Sequence, residues 1–181
     1  MNIEKLKTFV KSYYDAKDPG HNFSHIERIL KYTFIIKKDF KNININKLYF
    51  LALFHGLNKK INSNENFKKE IVILLKKCNI PDKEINDYFI SLSRHIKNPL
   101  TIEEKIIHDA NFLELYGALG IAKAFIMGGF KNQTLDETIN IFENNYFKKI
   151  KLKTNTGKRL SRDKKCFTKM FLKNLKKELN D

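Results

Sequence analysis

The sequence predicts an all-α fold, a single domain over 1–181 built as a bundle of eight or nine helices. Three observations predict it. Apolar residues recur three and four positions apart through most of the chain, the spacing that lines one face of a helix. No segment alternates apolar and polar residues for long enough to make a strand. Seven Gly and three Pro leave few of the tight turns that hairpins need.

Residues 2–16 place Ile3, Leu6, Phe9, Val10 and Tyr13 on one face. Asp18-Pro19-Gly20 stops that helix with turn chemistry. A second helix begins near Ser24, with Ile26, Ile29, Leu30, Phe34 and Ile35 inward. The third, about 44–57, is apolar nearly all round through Leu48–Phe54 and is expected to be central. Residues 58–65 are polar and Asn-rich and read as an exposed loop. Helices follow at about 66–78 and 82–96, Pro81 suiting the first turn of the latter. Thr101 with Glu104 is a capping box opening the helix that carries Asp109. Thr134 with Glu137 is a second, opening a helix to about 147. The last helix, 158–179, is basic, with an apolar stripe of Leu160, Phe167, Met170, Phe171 and Leu175.

The net charge of +15 invites a nucleic-acid reading, but 31 of the 35 basic residues are Lys and four are Arg. Phosphate and guanine recognition favours Arg, so the Lys excess reads as a solvated surface and nucleic acid is not the expected partner. Cys78 and Cys166 are far apart and lack CxxC spacing, which argues against a disulfide framework or zinc knot. No run of about 18 uncharged apolar residues suggests a membrane span, and the charged N-terminal stretch has no signal-peptide core. The expected compartment is the reducing cytoplasm.

Candidate chemistry rests on five histidines, His21, His25, His55, His95 and His108, and on Asp109. Asp109 lies in an otherwise apolar helical run, and small residues at Gly117, Ala118 and Gly120 leave room for another helix. A buried carboxylate needs an arginine, a backbone cap or a metal. Imidazoles at helix ends with a carboxylate suit a divalent transition metal, and bundles build such sites from facing helices.

Several stretches resemble the HD-domain superfamily. His21-Asn22-Phe23-Ser24-His25-Ile26-Glu27-Arg28-Ile29 is similar to its opening motif. Leu51-Ala52-Leu53-Phe54-His55-Gly56-Leu57 stands where the naming His-Asp pair falls, and Ser93-Arg94-His95 resembles the later histidine segment. Lys105 to Ala122, with Asp109-Ala110-Asn111-Phe112-Leu113-Glu114, is the most specific match. Thr156-Gly157-Lys158-Arg159 and the final helix are similar to the small stand-alone bacterial branch of predicted phosphohydrolases.

The resemblance implies an HD-type bundle. It implies a divalent ion (Mn, Fe, Co, Ni, Zn or Mg) held by His25, His55 and Asp109. His95, His21 and Arg28 would be second-metal or substrate contacts, and the substrate a nucleotide or other small phosphate ester. In such a site the ion activates a water for attack on phosphorus.

The departures are Gly56 for the metal-binding Asp, Asn22 for the usual Asp, and Asn111-Phe112 for the usual Asp-Arg. They imply an impaired or remodelled metal site. The alternative is an inactive HD-fold protein that keeps a ligand- or partner-binding role. No catalytic residue is assigned from the sequence.

Overall fold

The computed structural model describes residues 2–180; the end residues of the expected domain, Met1 and Asp181, lie outside the described residues. The chain is all-α, and no strand occurs among the described residues. In order, the helices are α1 (Ile3–Asp15), α2 (Phe23–Lys37), α3 (Ile45–Phe54), α4 (Asn58–Ser63) and α5 (Glu65–Lys76). Next come α6 (Asp82–Arg94), α7 (Ile102–Phe112), α8 (Gly117–Phe130), α9 (Leu135–Ile141) and α10 (Asn155–Glu178). Short 3-10 turns at His55–Leu57 and Leu113–Leu115 follow α3 and α7, and a π-helical turn, Phe142–Phe147, follows α9.

Helix starts obey local capping chemistry. The side chains of Asn2, Asn44 and Asn64 accept backbone N–H bonds from Lys5, Lys47 and Phe67. Both expected capping boxes form, at Thr101/Glu104 and Thr134/Glu137. α3 is the centre of the main core: Leu48 and every residue from Phe50 to Phe54 are fully buried. α1, α2, α6 and α7 pack around it. A second, smaller core joins α8, α9 and α10 through Ile121, Ile139, Phe142 and Leu172.

The sequence reading needs correction at three places. Residues 58–65 are not an exposed loop: they form α4, with Ile61 buried, and Asn64 caps α5. The apolar run from 102 to 130 is two helices that meet at 74°. Gly117 sits at the break with φ +76, a conformation that L side chains rarely adopt, and α10 passes over it at Lys164. Gly120 instead packs on the backbone of Leu115 within the same bend. The stripe of α10 is also rotated. Phe167 (43% exposed) and Met170 (54%) face out, while Thr156, Gly157, Ser161, Thr168 and Leu172 are buried. The small and hydroxyl side chains allow close approach, and the Thr168 hydroxyl accepts the Gly117 N–H at 2.8 Å. No single described helix is long and apolar enough to cross a membrane.

Candidate functional site

Four imidazoles form a row, each ring edge-on to the next. Ring centroids are 5.5 Å apart for His21–His25, 5.1 Å for His25–His55 and 6.3 Å for His55–His95. His25 stands in the first turn of α2, His55 follows the last residue of α3, and His95 ends α6. Three chain segments distant in sequence thus converge because their helices pack on one core.

The Nδ1 atoms of His25, His55 and His95 are all committed to acceptors. His25 Nδ1 faces Glu114 Oε2 at 2.7 Å, His55 Nδ1 faces the Ala52 carbonyl at 3.0 Å, and His95 Nδ1 faces the Leu92 carbonyl at 2.7 Å. Each acceptor requires a proton on Nδ1, which leaves Nε2 as a lone pair in the neutral ring. His25 Nε2 and His55 Nε2 then face each other at 3.2 Å. His95 Nε2 is buried without a partner. Burial lowers the pKa of all three rings, to about 4 for His95 and well below its ordinary value for His55.

Glu114 organises the outer side of the row. It is fully buried and accepts from Arg28 Nε at 2.7 Å and Lys123 Nζ at 3.2 Å as well as facing His25. Burial pushes its pKa up, but His25, Arg28 and Lys123 outweigh burial and hold it at about 2. Sequence reasoning quoted Glu114 as part of a motif without giving it a role. The signal was its position five residues after Asp109 at the end of the same helical run. Arg28, expected near the site, reaches it through this carboxylate.

Asp109, expected as a metal ligand, spends its oxygens on other groups. Its Oδ1 accepts the Lys153 N–H at 2.7 Å and faces His108 Nδ1 at 2.9 Å. Its Oδ2 accepts the N–H and the hydroxyl of Thr154, both at 2.7 Å. A Cβ on Gly157 would collide with the same carboxylate. Asp109 is thus a buried clamp that pins the start of α10, bonded to Lys153, Thr154 and His108 rather than to an arginine. The physical reason is helical phase: α7 turns about 100° per residue, so positions 109 and 111 point nearly opposite ways. Asn111, not Asp109, lines the cavity beside the histidine row.

Gly56 follows His55, and its surroundings are closed. A Cβ there would lie 2.9 Å from Tyr14 Cε1, 3.0 Å from Lys17 Nζ and 3.2 Å from the Tyr14 hydroxyl. Among the described residues no group of three His, Cys, Asp or Glu side chains is placed to hold a metal ion. The residues present therefore do not fit the expected divalent centre: two imidazole nitrogens are poised, Gly56 brings no carboxylate, and that of Asp109 is bonded to Lys153 and Thr154.

A cavity of about 170 Å³ opens beside the row. His21, Asn111 and Lys123 line it on the row's side, and Phe112, Phe142 and Tyr146 give it apolar and aromatic walls. His21 is held by Asp18, Nδ1 to Oδ1 at 2.7 Å.

No protein-family model matches the chain. Among curated proteins it is similar to YpgQ of Bacillus subtilis, an uncharacterized protein, at 25% identity over 97% of this chain and 93% of that one. Among solved structures it is similar to an HD-superfamily hydrolase from Bacillus thuringiensis, at 26% identity and TM-score 0.79, covering 98% of this chain and 96% of the other. It also matches B. subtilis YpgQ in complex with ADP, at 20% identity and TM-score 0.74, covering 98% and 97%.

Proposed function

Starting from a chain with the all-α fold of the HD-superfamily hydrolases, we propose that it binds a small phosphorylated ligand, of nucleotide type, at the His25–His55–Lys123 centre, with the superfamily's metal-assisted hydrolysis reduced or lost. The composition of the centre carries this reading. Lys123, Arg28 and Lys17 stand around two neutral imidazoles against two carboxylates, Glu114, paired with Arg28 and Lys123, and Asp18, so positive charge remains in excess. Such a centre favours an anion over a divalent cation. The aromatic cavity next to Lys123 offers space for the rest of the molecule. That YpgQ has been crystallised with ADP supports the ligand class.

A second reading, a phosphohydrolase with a remodelled metal centre, keeps one observation in its favour. Both Nε2 atoms are held in the lone-pair form at 3.2 Å by acceptors behind them.

The test is calorimetric titration with ADP in the presence of a chelator. The expected result is saturable binding, weakened about tenfold or more by His25→Ala. Binding that appears only after Mn or Ni is added, with phosphate released, would establish the second reading instead.

A further inference from the structure

The place beside His55 that a side chain of residue 56 would occupy is already taken by a cation. Lys17, two residues beyond the end of α1, sends its ammonium across to the 3-10 turn and donates to the Gly56 carbonyl. Its Nζ lies 3.0 Å from the ideal Cβ position of Gly56 and 4.9 Å from the centroid of the Tyr14 ring. Tyr14 is itself immobilised: it is fully buried, its hydroxyl donates to the Leu53 carbonyl at 2.9 Å, and that hydroxyl accepts the Gly56 N–H at 3.1 Å. Tyr14, Gly56 and Lys17 thus lock one another, and the lock needs glycine at 56.

Lys123 stands behind His25, 3.4 Å from its Nδ1 and 3.2 Å from Glu114 Oε2, at the ring edge away from the facing Nε2 atoms. A divalent ion at the facing Nε2 atoms would meet the Lys17 ammonium where a side chain of residue 56 would lie, and no free carboxylate there. An ammonium beside the pair repels a divalent ion, and two imidazoles without a carboxylate offer little to offset that repulsion. An anion meets the opposite situation, with the Lys17 ammonium as a donor beside the two rings.

We infer that Lys17 is the resident cation of this centre: its ammonium stands where the superfamily's metal-binding carboxylate would be, excludes a divalent ion from the His25–His55 pair, and makes the centre a metal-free site for a phosphate group. This rests on the proposed ligand class and adds the group that recognises it.

Two titrations of the full chain test it: Co2+ followed by visible absorption, and ADP followed by calorimetry in chelator. The wild-type protein is expected to show no saturable Co2+ band and to bind ADP. Lys17→Met is expected to weaken ADP about tenfold or more and to gain a Co2+ band that disappears again on adding His55→Ala. Lys17→Arg, which keeps the charge, is expected to retain ADP and exclude Co2+; Lys17→Gln repeats the neutral case with a polar side chain. Saturable Co2+ binding by the wild type overturns the inference, as does wild-type ADP affinity in both Lys17→Met and Lys17→Gln. If the wild type binds ADP under no condition, the proposed function falls, and the Co2+ arm still decides whether Lys17 excludes the metal.

Discussion

Two buried carboxylates five residues apart in one motif do different work. Glu114 sits behind His25 and is surrounded by side chains that carry or accept protons: an imidazole, a guanidinium and an ammonium. Asp109 is held by two backbone N–H groups, the Thr154 hydroxyl and its neighbour His108, and its bonds to Lys153 and Thr154 start α10. The first holds an imidazole near a cavity; the second fastens a helix. The comparison teaches that burial of a carboxylate marks importance, and that the kind of donor around it tells function from architecture.

The largest expected effect breaks that comparison if it fails. Asp109→Ala removes four contacts from a fully buried clamp and leaves two backbone N–H groups without acceptors. The expected loss is about 3 kcal/mol or more, read by denaturant unfolding. ADP affinity of the protein that remains folded should be unchanged. A variant of full stability that lost metal or ADP binding would return Asp109 to the site.

Acid comes next, and it probes the other region. His95 has a folded pKa of about 4, below its ordinary 6.5, so the folded state binds fewer protons than the unfolded chain between those values. Stability is full above pH 6.5 and falls as pH drops through that window, by up to roughly 3 kcal/mol from His95 alone. His25 and His55 are lowered too and act in the same direction. Glu104 and Glu114, both near 2, lose their contribution only as pH falls from about 4.5 toward 2. Unfolding measured from pH 7 to 4 should show a decline that His95→Gln flattens; an identical profile in that variant would refute the assignment.

Gly157→Ala sharpens the clamp. Its Cβ would press on the Asp109 carboxylate, and the expected cost is about 2 kcal/mol in thermal unfolding. Smallest in effect, Gly56→Asp should not restore metal binding. Its Cβ meets the locked Tyr14 ring and its carboxylate would pair with Lys17. A saturable Co2+ band in this single variant would show that one substitution had disabled an otherwise intact centre.

Much of this molecule was legible in the residues alone. Periodicity, the two capping boxes and the lack of strand alternation specify an all-α chain, because they are short-range and each helix obeys them locally. The resemblance around His25, His55 and the Asp109 segment identified the superfamily whose fold the chain has. It also marked Gly56 as the departure that matters. Packing decided the rest. Whether Asp109 or Asn111 faces the cavity depends on the phase of α7, which residue types do not specify when both faces of the helix are covered. That Glu114 gathers His25, Arg28 and Lys123 depends on three segments meeting. That Lys17 reaches Gly56 depends on α1 ending beside α3. A sequence states which groups a chain owns. Only the tertiary contacts state which of them share a few ångströms, and at that range charge and lone pairs decide what can bind.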